Sequence, residues 1–162
     1  MKVKIKRNVE GARIPTSGST RAAGVDLYAY IGDKEGRMIR PGETVMIGTG
    51  ISMAIPEGYF GAIFARSGIA TKRGLRPANC VGVIDSDYRG EIIVALHNDS
   101  TGHEIIPDGE RIAQLVIMPY LPVEFDETDD LDDTERGEGG FGSTGRYADN
   151  TYEQLDLFAP IS

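Results

Sequence analysis

The chain has 162 residues, of which 40% are hydrophobic and 26% charged, a balance typical of one compact domain. One cysteine, Cys80, and two histidines exclude an internal disulfide and a Cys/His zinc site, and they favour reducing, cytosol-like surroundings. The formal net charge is −8, but residues 124–135 hold eight acidic residues and no Lys or Arg. Removing these eight from the 25 acidic residues leaves 17, which equals Lys plus Arg. An otherwise neutral chain has no electrostatic footprint for binding duplex DNA or an anionic membrane.

Strand patterns recur along the whole chain. At the start, Val3 and Ile5 alternate with lysines as in a half-buried strand, and no apolar run there resembles a signal peptide. Further strands are predicted, between Pro- and Gly-rich turns, at 24–30, 43–55, 59–64, 80–84, 91–98 and 111–119. The one helix candidate is short, at 67–73, and no run is long enough to span a membrane. We therefore expect a soluble, cytoplasmic, all-β protein with a jelly-roll or sandwich body.

The composition changes near residue 124. An acidic segment is followed by a glycine-rich one and then by a polar stretch with a short apolar end. These segments cannot build a core of their own, and mutual repulsion keeps an acidic segment extended. The predicted organisation is a β domain over 1–123, an acidic segment and glycine-rich arm over 124–145, and a tail over 146–162.

The arm contains a candidate phosphate clamp. Five glycines in the ten positions 136–145 let backbone N–H groups converge on an anion, and Arg136, Ser143 and Thr144 add side-chain donors. Phe141 is placed to stack on a base. The segment is not a Walker loop, because it has no Gly-Lys-Ser/Thr. The structural alternative is a flexible linker with one hydrophobic anchor.

Two segments of the body also carry candidate chemistry. Asp85 directly follows an apolar strand, where a rigidly held carboxylate can activate a water; the alternative is a simple hairpin connection. Arg66 and Ser67 place a guanidinium and a hydroxyl at a strand-to-helix junction, where anions bind. The alternative there is Ser67 as an ordinary N-cap.

Taken together and in order, five segments resemble the homotrimeric deoxyuridine triphosphatases, the dUTPases. They are AGVDL at 23–27, RSGIA at 66–70, GVIDSDYRG at 82–90, RIAQL at 111–115 and RGEGGFGSTG at 136–145. The resemblance covers nearly all of residues 1–145. It implies a jelly-roll trimer that hydrolyses dUTP to dUMP and pyrophosphate, which limits uracil in DNA and supplies dUMP for dTMP synthesis. Each of its three active sites would be assembled from segments of three subunits.

The same resemblance implies roles for individual residues. Asp85 would deprotonate the water that attacks the α-phosphorus, and Mg2+ would be held by the triphosphate, with Asp26 touching it only through water. Asn79 would read the uracil edge beside Gly82, Tyr88 would exclude a 2′-hydroxyl, and Phe141 would stack on the uracil. The remaining substrate contacts would come from Arg66, Ser67, Gly68, Gln114, Arg136, Gly142, Ser143 and Thr144.

The tail carries a second resemblance. Gln154, Leu155, Asp156, Leu157 and Phe158 resemble the pentapeptide by which bacterial replication and repair proteins bind the DNA polymerase sliding clamp. It implies a bacterial or bacterial-virus protein that reaches DNA only through that partner. The alternative is an apolar tail that packs on its own trimer.

Two other functions compete with dUTP hydrolysis. A dCTP deaminase has a related fold and arm, but the motif around Asp85 and Tyr88 favours a dUTPase. The other competitor is a regulatory binding protein built on the dUTPase scaffold, which the complete catalytic set disfavours.

Overall fold

A computed structural model describes residues 1–141 and 143. The chain divides into two units, of which the first is 1–123 and the second begins at Glu124. The described part of the second unit contains no helix or strand. In the first unit the helix is α1 Ser67–Arg73, and the strands are β1 Lys4–Arg7, β2 Thr16–Ser17, β3 Val25–Tyr28, β4 Arg37–Ile39, β5 Thr44–Gly48, β6 Ile51–Ala54, β7 Tyr59–Phe64, β8 Leu75–Pro77, β9 Gly82–Ile84, β10 Ile93–Asn98, β11 Glu104–Ile106 and β12 Arg111–Pro119. The all-β prediction is confirmed.

The strands form four small sheets. The largest has the order β2-β3-β12-β7-β9, and a second has the order β5-β10-β8. The pairs β1-β6 and β11-β4 complete the first unit, and all these pairings are antiparallel. Antiparallel strands bury one face and leave the other to solvent, which produces the observed alternation along β5 and β10.

One hydrophobic core joins the sheets. Leu27 of β3, Leu96 of β10 and Ile112 of β12 are completely buried in it. Its buried members come from every strand except β1, β2 and β9, and α1 contributes Ile69. The helix ends at Gly74, whose left-handed backbone (φ 66°) directs its N–H back to the helix carbonyls.

The prediction of a single strand over 43–55 is wrong. The segment forms two strands, because Gly50 adopts a left-handed conformation with φ 67°, and its N–H donates to Glu91 Oε1 at 2.7 Å. The break sends β5 to pair with β10 and β6 to pair with β1.

Other boundaries were predicted more closely. Those of β7, α1 and β12 agree residue for residue, whereas β9 begins two residues late because Cys80 has φ 61° and cannot continue a strand. The short strands β2, β4, β8 and β11 were not predicted. Among the described residues, no helix is long and apolar enough to cross a membrane.

Candidate active site

A buried carboxylate organises one end of the five-stranded sheet. Asp26 of β3 has a side chain that is only 5% exposed, and each of its oxygens accepts a hydrogen bond from a different arginine. Arg66 Nε lies 2.9 Å from Oδ1, and Arg111 Nη1 lies 3.2 Å from Oδ2. A buried carboxylate needs such partners, since an unpaired one is strongly destabilising. The cluster therefore fixes the Arg66 guanidinium at the end of the sheet. Its two arginines and one aspartate leave it with a formal net positive charge.

The pairing of the strands also places Gln114 beside Asp26, at the same end of the five-stranded sheet. Asp26 pairs with Gln114 of β12, and Gln114 pairs with Phe64 of β7, so these side chains share one face of the sheet. A register shift between Arg111 and Ala113 in β12 is the bulge that lets Arg111 reach Asp26. Sequence reasoning gave Arg111 no role, because its partner lies 85 residues away and no local pattern signals the pair.

The start of α1 lies directly after Arg66. Arg66 itself is the N-cap, and no side chain caps the helix, so the alternative in which Ser67 is the N-cap is wrong. Ser67 and Gly68 are exposed in the first turn, beside the arginine that Asp26 holds. The phosphate-contact candidates Arg66, Ser67, Gly68 and Gln114 are thus brought together.

A second group of candidates lies around β9. A Cβ atom at Gly82 would lie 3.2 Å from Ile63 Cβ and 3.6 Å from Asn79 Nδ2, so the Asn79 amide lies against the Gly82 backbone. Tyr88 is 43% exposed, and its hydroxyl donates to the Glu91 carbonyl at 3.1 Å. Asn79 and Tyr88 thus flank the strand from its two ends.

Asp85 follows β9 directly and is exposed. It lines a cavity of about 870 Å³ together with Phe60, Val83, Arg89 and Tyr120, within the size range of small-molecule sites. The hairpin alternative for this segment is wrong, because β9 pairs with β7 whereas β10 belongs to another sheet. The segment is a crossover between sheets, closed by the bond from the Tyr88 N–H to the Asp85 carbonyl.

The two groups of candidates lie apart within one chain. Ile84, the neighbour of Asp85, pairs with Gly61, near the start of β7. Arg66 lies beyond the other end of β7, five residues from Gly61, which is about 17 Å at about 3.3 Å per residue. Asp85 and the Asp26–Arg66 cluster therefore do not converge on one small group within a single chain.

The described part of the arm is a series of tight turns. Arg136 Nε donates to the Gly139 carbonyl at 2.7 Å, and the Ser143 N–H donates to the Gly140 carbonyl at 3.0 Å. Phe141 has φ 44° and is fully exposed, free to contact a ligand. Gly142, Thr144 and the tail candidates 154–158 lie outside the described residues.

The acidic side chains of the site show whether the protein itself could hold the metal ion expected from the sequence. Within residues 1–141 and 143, no three His, Cys, Asp or Glu side chains converge on a point that could hold an ion. Both Asp26 oxygens accept hydrogen bonds from arginines, so each already has a partner within the protein. This donor set fits a divalent ion whose ligands come mainly from a bound molecule.

Comparison with known proteins identifies the family. The dUTPase family model matches residues 10–145, and the chain belongs to the dUTPase family, a family of enzymes. The match ends before the tail, which begins at Arg146.

Individual relatives agree with this assignment. The deoxyuridine 5′-triphosphate nucleotidohydrolase of Desulfitobacterium hafniense is 50% identical over 148 residues, 90% of this chain and 97% of that protein. The enzyme of the same name from Anaplasma marginale is 43% identical over 147 residues, 90% of this chain and 99% of its own. A solved Staphylococcus bacteriophage 80alpha dUTPase with dUpNHpp is similar at TM-score 0.79 and 30% identity, covering 89% of this chain and 98% of that one.

Proposed function

We propose that this dUTPase hydrolyses dUTP to dUMP and pyrophosphate by direct attack of water on the α-phosphorus. The observation that carries this mechanism is the placement of Asp85, which is exposed at the cavity directly after β9, while Asn79 lies in the turn just before the same strand. The two ends of one strand thus present a base for water and an amide for the nucleobase. The dUTPase motifs at these positions and the dUpNHpp bound by the phage relative support the same substrate.

In the proposed reaction Asp85 is the general base. Its carboxylate accepts a proton from the water, whose oxygen forms the new bond to the α-phosphorus. The α–β bridging oxygen then leaves with pyrophosphate, so no covalent enzyme intermediate is needed. The rigid end of β9 holds the carboxylate, which favours proton transfer in a fixed geometry.

The phosphate chain is proposed to bind at the Asp26–Arg66 cluster. Arg66 uses Nε for Asp26 and Nη1 for the Arg111 carbonyl, which leaves Nη2 to the phosphates, while Ser67 and Gln114 are exposed next to it. In the arm, Arg136, Ser143 and Thr144 are proposed to close over the phosphates, with Gly142 allowing close approach of the backbone. A bound Mg2+ would neutralise charge on the triphosphate oxygens, with Asp26 touching only its water shell.

Base and sugar selection are proposed to lie on β9 and in the arm. The Asn79 amide supplies one donor and one acceptor to the uracil edge, and its contact with Gly82 leaves little room for a 5-methyl group. Tyr88 excludes a 2′-hydroxyl, and Phe141 stacks over the uracil once the arm closes.

The active unit is proposed to be a homotrimer whose sites are shared between subunits. The strand pairing supports this proposal: Ile84, next to Asp85, pairs with Gly61, which lies about 17 Å along the chain from Arg66, so one chain does not bring Asp85 and Arg66 together. An apolar face also supports it: Met46 is 65% exposed and Ile93 41% exposed on the outer side of the β5-β10-β8 sheet. A second and third copy would cover this face and complete the sites.

For the tail, we propose that Gln154, Leu155, Asp156, Leu157 and Phe158 bind a bacterial sliding clamp. The support is their sequence, which lies beyond the family match and places three apolar residues near the chain end. The bacterial relatives and the single cysteine support a bacterial cytoplasmic setting.

A panel of nucleotides tests the catalytic proposal. Purified protein is incubated with dUTP, dCTP, dTTP and UTP, with and without Mg2+, and pyrophosphate and ammonia are measured. We expect pyrophosphate to form from dUTP far faster than from the other three nucleotides, and its formation to depend strongly on Mg2+. Ammonia from dCTP would establish a deaminase instead, and no turnover of any nucleotide would favour a binding protein on this scaffold.

A further inference from the structure

The side chain of Arg76 ties together the backbone just before Asn79. Arg76 lies in β8, and its guanidinium forms a fork with Asp99, with Nε 2.6 Å from Oδ2 and Nη2 3.2 Å from Oδ1. The remaining nitrogen, Nη1, lies 3.3 Å from both the Pro77 and the Ala78 carbonyl oxygens. All three nitrogens of one planar group are therefore used, and two of the four contacts are to main chain next to Asn79.

The backbone that Arg76 holds is an unusual one. Cys80 has φ 61°, a left-handed conformation that non-glycine residues rarely adopt. The Val81 N–H donates to the Asn79 carbonyl at 2.6 Å, and the Cys80 N–H donates to the Pro77 carbonyl at 3.0 Å. Strained backbone of this kind persists only where surrounding contacts fix it. Nη1 of Arg76 supplies two such contacts, to the Pro77 and Ala78 carbonyls that lead into the turn.

Asp99 keeps the fork in one orientation. It follows β10, where it also lies 3.3 Å from His97 Nε2, and its own N–H donates to the Gly74 carbonyl at 2.8 Å. The hydrogen bond to Asp99 raises the pKa of Arg76. Both side chains are more than one-third exposed, and exposed ion pairs contribute little to stability. We therefore assign this ion pair a role in holding the turn before Asn79 rather than in stabilising the fold.

We propose that Arg76 is a positioning residue for base selection, which acts by fixing the 77–81 turn so that the Asn79 amide meets the uracil edge. The inference rests on the proposed role of Asn79. With the fork intact, the amide and the Gly82 backbone keep the spacing that discriminates against a 5-methyl group. Without it, the turn relaxes and discrimination falls, while Asp85, on the far side of β9, keeps its place.

The test compares kcat/KM for dUTP and dTTP in the full-length enzyme. In Arg76→Ala we expect the dUTP/dTTP ratio to fall by roughly tenfold, the effect of losing one charge-assisted contact in the positioning of the amide. KM for dUTP should rise, with kcat within about twofold of wild type, since remote positioning acts on binding. Arg76→Lys keeps the charge and the aliphatic stem but lacks the fork, and it should behave like Arg76→Ala.

Two further variants make the result decisive. Arg37→Ala removes an exposed arginine from β4, and it should keep the wild-type ratio. Asn79→Ala tests the amide itself, and an unchanged ratio there would remove both Asn79 and Arg76 from base selection. A lowered ratio in Asn79→Ala with a wild-type ratio in the Arg76 variants would overturn the Arg76 inference alone. If Arg76→Ala does not fold, Arg76→Lys decides the question by the same ratio.

Discussion

The separation of Asp85 from Arg66 predicts that two inactive variants restore each other. Asp85→Asn removes the proposed general base, and Arg66→Ala removes the arginine that Asp26 holds. Each variant alone is expected to lose nearly all turnover, because one general base is worth about 10²–10⁴-fold. If every site takes Asp85 from one subunit and Arg66 from another, a mixed oligomer contains sites with both residues intact.

The size of the recovery follows from counting sites. A cyclic trimer that contains both variants has three sites between neighbouring subunits, and in one of them the Asp85 and the Arg66 are both intact. Roughly a third of wild-type activity is therefore expected from trimers that carry both tags. A site built within one chain gives no recovery at any mixing ratio.

The assay uses co-expression of the two variants with different affinity tags and purification through both tags in turn. Turnover of dUTP is then measured per site and compared with each variant alone. Co-purified Asp85→Asn and wild-type chains serve as the matched control, since their activity follows the wild-type fraction. Mixed oligomers that stay as inactive as the single variants would refute the shared site. Asp85 and Arg66 of one chain would then have to act in the same site.

Three further predictions concern single steps. Asp85→Asn alone should still bind dUpNHpp, because the amide keeps the shape and loses only proton acceptance; calorimetry that finds no binding would make Asp85 a binding residue. Phe141→Ala should weaken dUpNHpp binding by about 1–3 kcal/mol through lost stacking, and an unchanged affinity would remove Phe141 from the site. Leu157→Ala combined with Phe158→Ala should abolish binding to purified bacterial clamp without changing dUTP turnover. Equal clamp binding by variant and wild type would refute clamp binding through the tail. Lost turnover in the variant would instead indicate that the tail packs within the oligomer.

The strands with strong local patterns were predictable from sequence. The ends of β7 and β12 follow from runs of apolar and β-branched residues next to turn residues, and α1 from its flanking glycine at 74. The break at Gly50 was not predictable, because it depends on a bond from its N–H to Glu91, 41 residues away. The short strand β8 was missed for a similar reason, since it exists only through pairing with β10.

The candidate site shows the same division. Asp26, Arg66 and Asp85 stand out by motif, but motifs are silent on which of them meet. The pairing of Asp26 with two arginines depends on strand register and on the bulge in β12. The distance between Asp85 and Arg66 depends on the antiparallel pairing of β9 with β7. The role of Arg76 has no motif, because its partners are two carbonyl groups and an aspartate on a neighbouring segment.

The order of strands in the large sheet sets when the chain can fold during its own synthesis. β12 is the last strand of the first unit, yet it lies between β3 and β7 at the middle of the sheet. At about 5–20 residues per second, a ribosome needs roughly 6–24 seconds to reach residue 119. Until then β3 and β7 each lack the neighbour that joins them, and their unpaired edges are open to other chains. Truncations before β12 should therefore aggregate rather than accumulate as folded fragments.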